Sequence, residues 1–425
     1  MRKAADWAVK NPFWVTALVC VVFYLLPFKP KPFGDGDYHY GTIQLIDFIA
    51  NGFSGNVMVN KGFLTLFFYL PSYLLVYPFH SDSVYFASGV IFSCLLVCFA
   101  VRYLFLAFDI VNLSANAKKI VLLLLCLFPV HVYYAMGIIG EAFGFFAVSL
   151  LVYYWCRIVK SDHVSSKHMA IVALCLVMIY GFKPSMLPFV AVCAAYILIL
   201  RIRWKQKFTF AAVFLLVPML FFLEQKLDHS KLDFKEMVFR YQILWSRFEL
   251  RDEPLNWMPQ HTKDAFSSTD YLNNLAKRRE LDSICEAQNL DKTSYYIQWV
   301  TNDILENPGL AARQYFLKFF QSQSFVISPL MKSDKPAAVK WGIHIYINAI
   351  NFVLVVLALG GLVKLFREKR YRLVMPLFFF WGWCLMYICL FHSEQRYMFV
   401  FRAGLIFLAA YYINVLLQKR QQSIQ

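Results

Sequence analysis

Ten stretches of this chain are apolar over roughly the length that a helix needs to cross a bilayer, and this pattern limits the fold before any motif is considered. They lie at about residues 12–28, 83–106, 118–136, 139–157, 168–182, 183–201, 207–224, 340–363, 371–391 and 397–417. A transmembrane helix takes roughly 20 predominantly apolar residues. Helices satisfy their own backbone in lipid, where water cannot. A soluble protein could not bury so many such runs around one core. Composition agrees, with 60% hydrophobic, 18% aromatic and 16% charged residues, where soluble domains carry about 25% charged. The expectation is an all-α polytopic membrane protein with about ten transmembrane helices.

An eleventh apolar stretch, from about Gly62 to Phe79, is settled by charge. The loops Arg201–Lys207 and Lys364–Arg372 are the richest in Lys and Arg and should be cytoplasmic. So should the N-terminus (Arg2, Lys3, Lys10) and the C-terminus (Lys419, Arg420). Counting back from Arg201–Lys207 puts Lys118 and Lys119 inside and Gly140–Glu141 outside. Counting forward from a cytoplasmic N-terminus agrees only if 62–79 does not cross. Pro71 and Pro78 suit a bent, incomplete span, placed on the outer face as an interfacial or re-entrant helix. Three regions follow: an N-terminal transmembrane module, 1–225, containing a first outer loop at 29–82; an outer domain, 226–337; and a C-terminal transmembrane module, 338–425. The outer domain mixes polar and apolar residues, with Trp245, Trp257 and Trp299, and is expected to be small and mainly helical.

The net charge of +16 raises the question of nucleic acid. Residues 226–337 hold 15 Lys/Arg and 15 Asp/Glu, so the excess lies in the membrane part, chiefly in short loops. That is a positive-inside bias, not a DNA-binding face. Nine of the ten cysteines lie in or beside apolar runs and only Cys285 sits in the polar segment, which excludes a disulfide framework. The basic start followed by Pro12–Phe28 has no small-residue cleavage site after it and reads as an uncleaved first helix. No internal repeat is evident, which weakens a repeat-built transporter. The histidines are scattered, with no zinc-type spacing.

Chemistry-bearing residues concentrate at the outer face. Asp35 and Asp37 flank a glycine just beyond the first span, and Gly lets the backbone turn both carboxylates toward one point. Such a pair can act as a general base, hold a divalent ion or be merely solvated. Glu141 opens an otherwise apolar helix, where the helix dipole favours a carboxylate; ionisable residues near the hydrocarbon also commonly serve function. Lys61, Lys183 and Arg396 lie at the same level, and Lys61 and Arg396 can snorkel to headgroups. Arg402, about one and a half turns into the last span, needs a partner or a polar cavity. With Glu394, these groups suit transfer from a lipid phosphate: carboxylates deprotonate a hydroxyl and cations stabilise the phosphate.

The order of these features resembles the GT-C superfamily of polyprenyl-phosphate-sugar-dependent glycosyltransferases, which includes protein mannosyltransferases and lipid A aminoarabinose transferases. Asp35-Gly-Asp37-Tyr-His-Tyr40 resembles the acidic first-loop motif, a modified DxD. Ile49-Ala-Asn-Gly52 followed by Asn60-Lys61-Gly-Phe-Leu64 is similar to the small-Gly turn and the Lys/His-Pro-Pro-Leu segment, with Gly62 and Phe63 in place of the prolines. Phe128-Pro129 through Glu141 resembles the third span and the acidic residue opening the fourth. Lys183-Pro184 is similar to a basic-Pro pair. Asn307-Pro308 through Lys318, then Arg396-Tyr397, resemble the Asn-Pro…Lys stretch and the closing Arg-Tyr helix.

The resemblance implies a GT-C-like membrane glycosyltransferase. It would move a hexosyl or pentosyl group from a polyprenyl-phosphate donor to a hydroxyl of a lipid, glycan or protein, with inversion, in cell-envelope glycan biosynthesis. Lys61, Lys183, Arg396 and Arg402 would bind the donor phosphate. Asp37 would be the base and Glu141 would assist. Aligning on Tyr40 favours Asp37 and aligning on Tyr38 favours Asp35; Asp37 is preferred. His39, Tyr40, Tyr397 and Glu394 would position substrate, and segment 226–337 would cover the site and select the acceptor. No cofactor is expected beyond a divalent cation that Asp35 and Asp37 could hold. The expected location is a bacterial inner (plasma) membrane with both termini cytoplasmic. The competing readings are a polymerase or ligase of surface polysaccharide and a lipid-linked-glycan flippase or transporter. The first would depend on loop arginines and a histidine. The second calls for charges at mid-membrane, whereas here they gather at the outer rim.

Overall fold

Helix is the only regular secondary structure among the residues described by the computed structural model: 2–25, 36–54, 57, 63–128, 130–138, 140–161, 164–183, 186–227, 243–252, 269–323, 335–390 and 399–423. Four helical stretches are long and apolar enough to cross a membrane unaided: Asp82–Ile110, Gly140–Lys160, Trp204–Leu223 and Ala337–Arg367. A fifth is formed if Lys3–Lys10 and Pro12–Leu25, bent by 96°, count as one broken span. The protein is therefore an all-helical chain of membrane type. The other apolar stretches expected to cross are helical too, several of them in shorter pieces.

Prolines explain two of the breaks. The stretch 118–136 divides into α6 (Ala115–Leu127) and α7 (Val130–Ala135) on either side of Phe128-Pro129, because a residue before proline is pushed out of the α region. The stretch 207–224 divides into α11 (Trp204–Phe214) and α12 (Leu216–Leu227), four residues after Phe214 comes Pro218, which has no N–H to give the Phe214 carbonyl.

The chain forms two compact units. The first holds residues Met1–His229, Val353–Trp381 and Phe399–Gln425. Its remaining helices are α1 (Arg2–Lys10), α2 (Pro12–Leu25), α3 (Gly36–Ala50), α4 (Phe63–Leu75), α5 (Asp82–Ile110), α8 (Gly140–Lys160), α9 (Ser166–Phe182) and α10 (Leu187–Ile199). The second holds Ser230–Phe352 and Gly382–Met398, with α13 (Leu244–Phe248), α14 (Thr269–Gln288), α15 (Lys292–Glu306) and α16 (Pro308–Gln323). Two long helices, α17 (Ala337–Arg367) and α18 (Tyr371–Leu390), contribute to both, and α19 (Arg402–Gln422) closes the first.

In the first unit α5, α8 and α9 pack side by side, and α19 is buried at every position from Arg402 to Tyr411. Small residues let backbones meet, as in membrane helix packing generally. A methyl on Gly361 of α17 would fall 2.1 Å from the Leu408 carbonyl oxygen of α19. The basic loops share one end of this unit. Lys119 Nζ lies 2.5 Å from Asp6, the Ser114 N–H donates to Asn414 Oδ1 at 2.9 Å, and Gln206 Nε2 donates to the Val164 carbonyl. At that end Trp155 Nε1 donates to the Arg372 carbonyl at 2.8 Å. That carbonyl is the one Pro376 of α18, four residues on, leaves without its helical partner.

α4 behaves differently from its neighbours. It has 13 residues, about 20 Å at 1.5 Å per residue, against a hydrocarbon core of about 30 Å. It runs antiparallel to the first half of α5, with Tyr69 Oη 2.6 Å from Ser93 Oγ and Tyr73 stacked on Tyr85 at 5.3 Å. α5 continues from Ser93 to Ile110, about 25 Å further, toward the basic end.

Gly361→Ala should destabilise the protein by about 1–3 kcal/mol through overpacking, seen as a lower melting temperature in detergent. Gly382→Ala, where a methyl meets nothing within 4 Å, should leave the melt unchanged.

Candidate functional site

The end of the first unit opposite the basic loops gathers the candidate residues that can be described. Glu141 is the second residue of α8 and is buried, so its carboxylate sits in the first turn, where the helix dipole favours it. Beside it, a methyl on Gly140 would fall 2.7 Å from Phe182 Cε2 and 2.9 Å from Tyr38 Oη. One turn on, a methyl on Gly144 would fall 2.9 Å from Val400 Cγ2 and 3.0 Å from Phe182 Cδ1. Three segments thus close on the α8 N-terminus: the start of α3 at Tyr38, the end of α9 at Phe182, and the stretch entering α19 at Val400.

Each of those segments carries a candidate. Asp37 is the second residue of α3. Lys183 follows Phe182 and caps α9, its N–H donating to the Ile179 carbonyl at 3.3 Å. Arg402 follows Val400 and is buried, with its guanidinium carbon 4.7 Å from the Phe128 ring centroid, a cation–π geometry. α4 joins the same end: Thr65 Oγ1 donates to the Gly181 carbonyl at 3.4 Å.

One expectation needs correction. Arg402 does not lie one and a half turns inside the last span; it is the first residue of α19, which starts at Arg402 and ends at Gln422. The preceding residues carry the chain across α7 and α8 instead, with Phe399 packed on Tyr134 at 4.5 Å and on Phe145 at 5.3 Å. A cation at a helix N-terminus opposes the dipole, so the Phe128 face matters to its placement.

His39 and Tyr40 are placed apart from that cluster. His39 Nδ1 and Tyr73 Oη share a hydrogen bond of 2.7 Å, which ties α3 to α4, and Tyr40 is exposed. Burial pushes the His39 imidazole below its ordinary value, while Asp82 pulls it back up. Asp35, Lys61, Glu394, Arg396, Tyr397 and the Asp37 side chain lie outside the described residues. Tyr69, Ser93 and His131 escaped sequence reasoning. All three are buried, and Ser93 Oγ also donates to the Gly137 carbonyl at 3.4 Å. Isolated tyrosines and a serine in apolar runs give no signal of their own.

The second unit has its own buried ionic cluster. Gln314 and Lys318, one turn apart on α16, reach the carbonyls at the end of the short α13. Gln314 Nε2 donates to the Arg247 and Glu249 carbonyls, both at 2.9 Å. Lys318 Nζ donates to the Ser246 carbonyl at 2.7 Å and to Ser246 Oγ at 2.6 Å, with Glu249 at 3.4 Å. These are carbonyls that a helix end leaves without intrahelical partners. Arg247 Nε meets Asp303 at 2.7 Å, and Arg251 joins it at 3.2 Å. Lys318, which ends the Asn-Pro…Lys stretch, is thus a packing hub within this unit.

No protein-family model matches the chain, and no curated protein matches it in sequence.

The folded state favours neutral His39. The α3–α4 contact should therefore keep its full stability above the ordinary histidine value of 6.5 and lose it as pH falls below that value. Protection factors of the α3 amides should fall accordingly, and His39→Gln should remove that pH dependence. Lys318→Met should cost about 3–5 kcal/mol by removing one partner of the buried Lys318–Glu249 pair, read as proteolysis within residues 243–323. Lys277→Met, which breaks a surface pair with Glu280, should change little.

Proposed function

We propose that the chain is a membrane glycosyltransferase of GT-C-like architecture, acting at the outer face of a bacterial inner membrane. In this reading ten segments cross the bilayer, both termini are cytoplasmic, and α3 and α4 form part of the outer surface without crossing. The observation that supports it most is the convergence of three segments on Glu141: the α3 start carrying Asp37, the α9 end carrying Lys183, and the α19 start carrying Arg402. A carboxylate flanked by cations at one pole of a helical bundle, with the basic loops at the other, suits chemistry on a lipid phosphate at the membrane surface.

The donor is a polyprenyl-phosphate sugar, and the acceptor is a hydroxyl of a lipid, glycan or protein. Lys183 and Arg402, with Lys61 and Arg396, hold the donor phosphate and stabilise its charge as it leaves. Asp37 takes the proton from the acceptor hydroxyl. The acceptor oxygen then bonds to the anomeric carbon as the carbon–oxygen bond to phosphate breaks, releasing polyprenyl phosphate with inversion. Glu141 orients the acceptor. His39, bonded to Tyr73, fixes the start of α3.

Asp37→Asn should abolish sugar transfer from a panel of polyprenyl-phosphate donors in membrane vesicles, with expression and insertion intact. Asp35→Asn should retain transfer. The opposite outcome assigns the base to Asp35, and full activity of both variants would sink the glycosyltransferase reading. Arg402→Gln should raise the KM for donor at least tenfold.

A further inference from the structure

Asn11-Pro12 turns the chain through 96° between α1 and α2. A residue before proline is pushed out of the α region. The Asn11 N–H and side-chain amide both donate to the Trp7 carbonyl, at 3.0 and 2.9 Å, which closes α1 at that point. α2 begins the stretch 12–28 that is read as the first span, so a helix nearly at a right angle to it lies close to the plane of the membrane. α1 is held in this position by α6, on which it packs, and its Asp6 meets Lys119 Nζ at 2.5 Å.

The two sides of α1 differ. Ala5, Ala8 and Val9 are half-buried, whereas Lys3, Trp7 and Lys10 are exposed, Trp7 to 55%. At 3.6 residues per turn those three fall on one face, with the tryptophan between the lysines. No ion pair engages Lys3 or Lys10 among the described residues, while Lys118 and Lys119 of the adjoining α6 are taken by Asp109 and Asp6. The two lysines are about 10 Å apart along the helix, a separation that suits neighbouring headgroups rather than one small anion. Trp14, in the first turn of α2, is also exposed, to 63%. Tryptophan collects at the membrane–water interface, and a lysine stem can lie along apolar surface while its ammonium group reaches the headgroups.

We propose that the face of α1 formed by Lys3, Trp7 and Lys10 is a docking surface for anionic phospholipid headgroups of the leaflet at the basic end of the first unit. Trp7 lies at headgroup depth, and the two ammonium groups pair with phosphates on either side of it. Helices that lie in the interface bind in this way, by apolar burial together with attraction to anionic lipid, and basic segments beside a span are drawn to such lipid. The attraction is electrostatic at an exposed surface, so salt weakens it. The proposal rests on residues 12–28 crossing the membrane and is independent of the transfer chemistry at the opposite pole.

The test uses the full-length protein in nanodiscs of phosphatidylcholine alone or of equal parts phosphatidylcholine and phosphatidylglycerol. Hydrogen exchange of residues 3–10 reports docking. Quenching by lipid brominated near the headgroup reports the depth of Trp7, as the difference between wild type and Trp7→Phe. Phosphatidylglycerol should raise protection of these amides at least fivefold and increase the quenching of Trp7, and high salt should reverse both. The double variant Lys3→Gln/Lys10→Gln, at two exposed positions, should show the phosphatidylcholine level of protection in both discs, while residues 12–25 stay equally protected throughout. Equal protection of α1 in the two lipids, an unaltered response in the double variant, or Trp7 beyond reach of the brominated lipid would overturn the proposal. So would protection that rises with protein concentration, which is the mark of a second copy on this face. Fast exchange across residues 12–25 would overturn it separately, by removing the span on which it rests.

Discussion

Side chains packed tightly against three glycines hold the carboxylate end of the first unit together. At Gly140, Gly144 and Gly181 there is no room for a methyl: Phe182, Tyr38 and Val400 crowd the first two, and Leu64 Cβ would lie 2.4 Å from one on Gly181. A side chain at these positions would push Phe182, Tyr38, Val400 or Leu64 out of their present places. Those side chains pack around the Glu141 end of α8, so their displacement would loosen the surroundings that bury it. In lipid, where apolar side chains gain little by leaving the solvent, such van der Waals contact is what packs helices. The candidate site is therefore a consequence of helix packing rather than a loop feature laid over it.

The broken helices follow the companion constraint, that each freed backbone group must find a partner where water is scarce. Pro376 frees the Arg372 carbonyl and Trp155 takes it. The end of α13 leaves carbonyls that Gln314 and Lys318 take. In both cases long side chains from another helix supply the donors, and all three are buried. An unmet carbonyl would cost about 1–3 kcal/mol, so these side chains are tied to the backbone geometry they serve and are poorly free for other roles.

Much of this was legible in the sequence, because apolar length is a direct consequence of bilayer thickness. The helices at 82–110, 140–160 and 337–367 follow from their apolar runs alone. α4 is short, 13 residues with Pro71 inside it, against an expectation for 62–79 of a bent, incomplete span. What was illegible depended on tertiary partners. Arg402 read as a residue inside a span because Tyr397–Val400 is as apolar as a helix; only the turn at Phe399–Phe401, with Phe399 packed on Tyr134 and Phe145, shows that the helix begins later. The Arg247–Asp303 and Lys318–Glu249 contacts join residues 56 and 69 positions apart, and in a segment with balanced charge nothing marks which ions are buried. His39 sits beside the acidic motif in sequence, yet its ring turns to Tyr73, because adjacent residues of a helix point about 100° apart.

The two ends of the first unit differ in a way that bears on how it could work. At the basic end the cations are mostly exposed or paired with surface acids, as with Lys119 and Asp6, so they answer to the membrane's field and to headgroups in that leaflet. At the other end Glu141 and Arg402 are both buried. A buried charge is costly unless its surroundings compensate for it, and evolution keeps such groups near lipid chiefly where they act. Exposed cations can set orientation at little cost. The buried Glu141 and Arg402 at the opposite pole are not accounted for by orientation, and the proposed transfer chemistry would give them a role.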